Sequence, residues 1–455
     1  MFKIKLHWWI FLGILVGALV GVAVNKTTYP AIAQEAREAV FQSSSWSAAE
    51  EASEMKAIQA KEVELLQQTT VGSWIYWIGK LFLKLLKMVV LPLVISSLLS
   101  GIVGLGDAKK LGRMGGRAIG WYLTTSMLAI LTGISLVNLI RPGVGAQIPL
   151  PVAANVAEPK SFWEMINGMI PHNPIASAAN FELIQVLFFV ILFGCFTLSV
   201  KAEYRELIGK LANSVFEVMM KLTLGIIKLA PIGIAALIAT LVATTGPELF
   251  AQLIGYFVTV LLALLVHIFV TLPALFWLIT RRNPYRVMKA MLPALLTAFS
   301  TASSSGTLPV TIERVENGVG VKNSVSSFVL PIGATVNMDG TALYECVAVI
   351  FVAQLYAAAN PDFTLTIASQ VTIVFLALMV SIGAAGIPHA GLVMMVIIFE
   401  AIGLPTALTA VLWAVDRPLD MARTVANVWS DTLGTTAIAH KEGQLDESVL
   451  FKRSA

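Results

Sequence analysis

Uncharged apolar runs of membrane-spanning length recur from one end of this chain to the other, and no other feature constrains its fold as strongly. Trp8 to Val24, Ala118 to Ile140, Leu183 to Val200, Leu229 to Pro247 and Leu249 to Thr280 hold no Asp, Glu, Lys or Arg. Each reaches or nears the ~20 residues that cross a hydrocarbon core. A further run, about Val71 to Leu105, carries Lys80, Lys84 and Lys87 at helical spacing, where long apolar stems let the ammonium groups reach a headgroup layer. The 455 residues are 57% hydrophobic and 13% charged, against roughly 25% charged in an ordinary soluble domain. That balance excludes a soluble globular enzyme and a disordered chain. The net charge of +4 is scattered over short loops, which gives a nucleic acid no patch to bind. Cys195 and Cys346 stand in apolar context without CxxC spacing and read as inert buried thiols.

Basic residues orient the spans. Lys3 and Lys5 precede the first, Lys109, Lys110, Arg113 and Arg117 follow the second, and Arg281, Arg282 and Arg286 follow the sixth. Even numbers of crossings separate the clusters, so all three fit the cytoplasmic side, with the N-terminus. Ala31-Ile32-Ala33 resembles a signal-peptide cleavage site, but it lies well beyond an apolar run that is long for a signal core. Residues 26–70 hold seven acidic and four basic residues, consistent with an external insert that is helical from about Ser47 to Gln68.

The pattern changes after residue 285. Ala290 to Ile312 is broken by Ser300-Thr301-Ala302-Ser303-Ser304-Ser305-Gly306, and the 37 uncharged residues Phe363 to Phe399 are broken at Ser381-Ile382-Gly383-Ala384-Ala385-Gly386-Ile387-Pro388-His389-Ala390-Gly391. Gly and Pro end helices, so each stretch predicts two half-length helices meeting at a tip. Irregular backbone at membrane depth persists only where protein or a watery cavity surrounds it, so each tip is expected to line a site. Each is followed by a helix with polar residues mid-span, and this duplicated order is the inverted-repeat logic of secondary transporters.

Asp420, Arg423, Thr424, Asn427 and Asp431 fall on one face of the last span, which also contains Asp416. Charges at membrane depth cost about 2.5–3.5 kcal/mol each on insertion scales and call for partners or a function. Arg423 offers a donor fork for a carboxylate and Asp420 a partner for an ammonium, so an acidic amino acid would use both; the plainer reading is mutual neutralisation at i, i+3. Gly333 to Thr341 combines carboxylate, amide and hydroxyl oxygens at a Gly-opened turn, which suits a hard cation such as Na⁺ or, alternatively, bound water at a kink. Glu345 lies one turn further among apolar residues, where it either carries a proton or stays permanently neutral. His389 is the histidine placed to touch a site, with a solvated loop position as its other reading.

SSSGTLPVT (303–311), GATVNMDGTALYE (333–345), SIGAAGIPHAG (381–391) and DMARTVANVWSD (420–431) resemble the glutamate transporters, the dicarboxylate/amino acid:cation symporters that include the excitatory amino acid transporters. The resemblance covers nearly the whole chain. It implies an all-α membrane protein with eight transmembrane helices and two re-entrant helical hairpins as inverted repeats, assembled as a homotrimer that works as an elevator. Residues 1–117 would hold scaffold helices 1 and 2, 118–141 helix 3 of the transport domain, 142–247 scaffold helices 4 and 5, and 248–455 the transport core.

The resemblance also implies roles. Ser304, Thr341, Ile387, Gly391, Asp420, Arg423, Thr424 and Asn427 match substrate contacts. One sodium set would be Gly333, Asn337, Asn427 and Asp431, and a second the carbonyls of Thr335, Met338, Ser381, Ile382 and Ala384. A third would be Tyr122, Thr125 and Ser126, from WYLTTS, with Asn337 and Asp339. Glu345 matches the carboxylate that carries a proton in proton-coupled members, and potassium return is implied alongside it. Many acidic-substrate members carry a further arginine at one of two places that here hold Ala302 and Met421. The implied function is sodium-driven uptake of L-glutamate and L-aspartate across a plasma or inner membrane, with proton co-transport. The alternatives are a carrier of neutral amino acids, C4-dicarboxylates or cystine, and a passive anion-conducting channel. No nucleophile and base pair stands out, so the chain does not read as an enzyme.

Overall fold

A computed structural model describes residues 6–43, 58, 61–62, 64–104, 108–145, 168, 170–180, 182–246, 249–359, 363–383, 389–404 and 408–450. Nearly all of them are helical, with one isolated bridge, Val321 to Leu445, and no strand among them. In chain order the helices that matter here are α1 (Leu6–Thr27), α2 (Tyr29–Ser43), α3 (Thr70–Gly104), α4 (Ala108–Ile140), α5 (Pro174–Ala179), α6 (Leu183–Thr197), α7 (Ala202–Ile227) and α8 (Ala230–Thr245). There follow α9 (Leu249–Val266), α10 (Leu272–Thr280), α11 (Pro284–Thr301), α12 (Ser304–Arg314), α13 (Asn323–Val336), α14 (Asp339–Ala359), α15 (Ile367–Gly383), α16 (Ala390–Ala401) and α17 (Thr409–Lys441).

By length and composition, Arg113–Ile140, Leu253–Thr280 and Asn323–Ala358 can each cross a membrane, and two bent pairs raise the number to five if each pair is one span. The first two bury 33% and 44% of their apolar windows and the third 89%, so α13 and α14 form an inner axis that the others enclose. The outer helices turn large side chains such as Leu15, Leu19, Leu207, Leu211, Val218 and Ile254 outward, as lipid-facing helices do. Cys195 is among the outward-facing residues, while Cys346 is buried.

Helices α1, α3, α6, α7 and α8 pack chiefly on one another, and α4 and α9 through α17 on one another. The α1 contact with α8 depends on Gly13 and Gly17, where a Cβ would collide with the carbonyl groups of Pro231 and Ala235. Small residues at four-residue spacing let helix backbones meet this closely in a membrane.

Helix α2 lies where the sequence reading placed no helix. Its Ala, Glu and Gln content favours helix intrinsically, and Ile32, Ala36 and Val40 pack with Ile58, Leu65 and Leu66 over Val24 and Ala243. Positions 58, 61–62 and 64–68 are helical, within the stretch expected to be. Tyr29 donates to Glu62 at 2.7 Å, and burial, with that carboxylate, pushes its phenol well above its ordinary value. At the other end of the molecule Arg113 and Arg117 pair with Glu442, and Arg282 with Glu447. Two of the basic clusters that oriented the spans therefore meet carboxylates just beyond α17.

Both interrupted stretches fold back on themselves. α11 and α12 pack together across Ala302, whose left-handed φ of 51° makes the turn, and Ser303, whose hydroxyl caps α12 by accepting from the Gly306 amide at 3.0 Å. α15 and α16 likewise pack together. Ala384 and Ile387 lie outside the described residues. Between α13 and α14 the helix opens at Asn337 and Met338, where the polar run predicted a break.

Candidate substrate and cation site

The centre of the molecule is an ionic cluster on the first half of α17. Asp420 Oδ1 accepts from Arg423 Nη2, while Asp420 Oδ2 accepts the His389 amide at 3.0 Å and lies 3.4 Å from Arg417 Nη1. Asp416 sits one turn earlier on the same face. It accepts from the Tyr344 hydroxyl at 2.7 Å and lies 2.6 Å from His389 Nδ1. The guanidinium of Arg423 stacks over the Tyr344 ring at 4.8 Å. All of these groups are buried. His389, Asp416 and Asp420 offer ligand atoms within 4.8 Å of one another, but two guanidinium groups share Asp420, which makes this an ion-paired cluster and not a metal centre.

The expected substrate contacts gather here in large part. Thr424 donates to the Asp420 carbonyl at 2.8 Å, and Asn427 accepts the Gly340 amide at 2.8 Å while its own amide approaches Thr341 Oγ1 at 3.3 Å. Gly391 lies so close to Arg423 that a Cβ would collide with Nη1. Ser304 is buried near the start of α12, which packs on α17. Arg423 Nη1 has no hydrogen-bond partner. Such an orphaned donor is expensive in a dry site and is what an incoming carboxylate would satisfy.

The oxygen donors cluster one layer further along α17. Asp339 Oδ1 accepts from Thr125 at 3.1 Å and from Ser126 at 2.7 Å, and Thr125 Oγ1 lies 3.4 Å from Asn337 Oδ1. Asp339 Oδ2 is buried without a hydrogen-bond partner. Hydroxyl, amide and carboxylate oxygens around an orphaned carboxylate oxygen are the donor chemistry of a hard cation. Tyr122 belongs to this neighbourhood but donates to the Val329 carbonyl at 2.8 Å. Asn337 Nδ2 donates to Asp431 at 2.8 Å, and a Cβ on Gly333 would collide with that carboxylate. Gly333, Asn337 and Asp431 thus come together, whereas the Asn427 side chain is engaged at Gly340 and Thr341. Thr335, Met338, Ser381 and Ile382 lie near the ends of α13 and α15, which pack against each other.

Four groups escaped the sequence reading or were underread. His389 is buried and not solvated, its ring 5.1 Å from that of Trp413 and tilted by 36° to it. Tyr344 stands next to Glu345 in a motif that was read for its oxygens. Arg417 precedes Asp420 by one helical turn, a spacing that was readable. His267 lies in a π-helical turn, His267–Thr271, with Nε2 3.5 Å from Asp339 Oδ2. A lone histidine in an uncharged run was its only signal. Glu345 is buried, with neither carboxyl oxygen hydrogen-bonded.

The chain matches the sequence profile of the Sodium:dicarboxylate symporter family over residues 6–441. It is 35% identical to excitatory amino acid transporter 2 of Mus musculus, with 81% of this chain and 73% of that protein covered. It is 36% identical to excitatory amino acid transporter 1 of Ambystoma tigrinum, covering 80% and 76%. To the proton/glutamate-aspartate symporter of Escherichia coli strain K12 it is 35% identical, covering 81% and 85%. A profile match over nearly its whole length and identities above one third place the chain in the Sodium:dicarboxylate symporter family.

Proposed function

We propose that this membrane transporter accumulates L-glutamate and L-aspartate by symport with Na⁺ and H⁺, with K⁺ returning. The observation that carries the reading is the buried Asp420–Arg423 pair with an orphaned Nη1, an arrangement that meets a ligand bearing both ammonium and carboxylate. The names of its relatives point the same way. A ligand carboxylate would draw Arg423 from Asp420, and Asp420 would take the ammonium. Ser304, Thr341, Ile387, Gly391, Thr424 and Asn427 would complete the contacts. Exchanging one ion pair for two costs little in a site already desolvated, which is how buried polar groups select a ligand that satisfies them all.

Cation sites would form at Thr125, Ser126, Asn337, Asp339 and Tyr122, at Gly333, Asn337, Asn427 and Asp431, and at the carbonyls of Thr335, Met338, Ser381, Ile382 and Ala384. Asn337 belongs to two sets and sits at the break before α14, whose Gly340 and Thr341 face the substrate groups. Sodium would therefore shape the substrate site through one short segment. Glu345 would carry the proton, since a buried carboxyl without a partner is costly as a charge.

The finer architecture belongs to the same proposal: eight spans, two re-entrant hairpins, a homotrimer and N- and C-termini in the cytoplasm of a cell with this protein in its plasma or inner membrane. Residues 1–117 and 142–247 would form the scaffold, with 118–141 and 248–455 moving against it. Radiolabelled L-glutamate and L-aspartate uptake into K⁺-loaded proteoliposomes tests the function. Accumulation above equilibrium with an inward Na⁺ gradient is expected. Uptake that stops at equilibrium would instead identify a passive channel.

A further inference from the structure

Beside the Asp420–Arg423 pair stands a second guanidinium to which the family resemblance assigns no role. Arg417 is 6% exposed, its Nη1 lies 3.4 Å from Asp420 Oδ2, and its Nε is buried without a hydrogen-bond partner. Burying an arginine carries a large desolvation cost, repaid only by good ionic partners. Neither aspartate depends on it for a partner. Asp416 already has the Tyr344 hydroxyl and His389, and Asp420 already has Arg423 and the His389 amide.

The geometry divides the two oxygens of Asp420. Oδ1 faces Arg423 and Oδ2 faces Arg417. When a ligand carboxylate draws Arg423 away, Oδ1 is vacated for the ligand ammonium. Arg417 stays on Oδ2, so Asp420 keeps its orientation. Charge leads to the same conclusion. Two aspartates, 416 and 420, face two arginines, 417 and 423, with Glu345 and His389 as the other ionisable groups nearby. Without Arg417 the two aspartates would have one guanidinium between them, and an amino acid with two carboxylates would bring further negative charge. In a medium of low dielectric that sign decides which ligands bind.

We propose that Arg417 is the charge-selecting residue of this substrate site: it anchors Asp420 by Oδ2, frees Arg423 for the ligand and tips the pocket toward amino acids of net negative charge. It acts through Asp420 and is a positioning residue. The inference rests on the reading of the site as that of an acidic amino acid carrier.

Sodium-driven L-aspartate uptake by proteoliposomes containing wild type, Arg417→Gln or Arg417→Lys tests it, with L-asparagine as competing neutral isostere. For Arg417→Gln the KM for aspartate should rise at least tenfold with maximal rate within twofold, and the preference for aspartate over asparagine should fall at least tenfold. Arg417→Lys, which keeps the charge, should hold that preference within threefold of wild type. An unchanged preference in Arg417→Gln, or equal loss for both ligands, would overturn the proposal. If Arg417→Gln elutes as aggregate in detergent, Arg417→Lys carries the test, and a tenfold loss of preference there overturns it. A wild type without sodium-driven aspartate uptake would remove the reading of the site itself, an outcome distinct from active wild type with an indifferent variant.

Discussion

Arg423 is held from two sides, by Asp420 along the helix and by the face of the Tyr344 ring, yet one of its terminal nitrogens is unspent. Its loss should therefore harm binding more than folding. Arg417 and the His389 amide still hold Asp420 in an Arg423→Thr variant, so the aspartate is not left bare. The ligand carboxylate would lose a charge-assisted bond worth about 1.5–3 kcal/mol and would be desolvated without a partner. Acidic-ligand affinity should fall on the order of 100-fold, about 2.7 kcal/mol, with the detergent-solubilised protein eluting as wild type does. Titration of glutamate binding in saturating sodium checks this, and an unchanged affinity would defeat the assignment. Glu345 makes a different case, because an amide of the same shape is neutral at every pH. Glu345→Gln should keep homoexchange of labelled for unlabelled aspartate while net uptake loses its dependence on external pH. Net uptake that still declines as external pH rises would move the proton to another group. The sequence marked both residues, since a charge in an apolar run is conspicuous. It passed over Arg417, because an arginine beside two aspartates carries no signal of its own until the other partners of those aspartates are known.

At the scale of elements, the second interrupted stretch is pinned to α17 by its returning arm. His389 gives its backbone amide to Asp420 and its ring to Asp416, and Gly391 admits Arg423 where a side chain would displace it. In Gly391→Ala the new methyl would meet the far end of the flexible Arg423 and the Tyr344 ring at 3.3 Å. Arg423 can yield, so the variant should fold, but its fork would leave the position that meets the ligand. The KM for aspartate should rise about tenfold, near 1.4 kcal/mol, with thermal stability in detergent nearly unchanged. A KM equal to that of wild type would mean the arm stands further from the ligand than proposed. Gly and Pro interruptions made both tips legible, and the polar run from Gly333 to Thr341 predicted the break at Asn337. What the tips touch was not legible, because the solvated and buried readings of His389 differ only in a partner 27 residues away, Asp416. Helix α2 was overlooked for a related reason: a charged insert carries no spanning signal, and its weak apolar face is explained only by the patch around Val24 and Ala243.

Across the whole molecule, the packing separates α1, α3, α6, α7 and α8 from the helices that carry the ionic cluster. If the second group carries ligand and ions across the membrane against the first, contacts between the groups must break in every cycle. One such contact is edge-to-face, the ring of Phe82 on α3 against Trp413 on α17, with centroids 5.8 Å apart. Trp413 also packs against the His389 ring, so this junction stands directly behind the substrate groups. Cysteines replacing Phe82 and Trp413, in a chain whose Cys195 and Cys346 are serine, would be bridged by a bifunctional methanethiosulfonate long enough to span the space that the two rings fill. The unbridged double variant is the reference and should still transport, although each shortened ring gives up packing worth on the order of 3 kcal/mol. Bridging should abolish net uptake while leaving sodium-dependent aspartate binding in place, because the site lies within one group and needs no motion between the two. A thiol reductant should restore uptake by cleaving the two mixed disulfides. A bridged protein that still transports at its unbridged rate would show that α3 and α17 travel together, and access to the site would then have to alternate by movement of the hairpins alone.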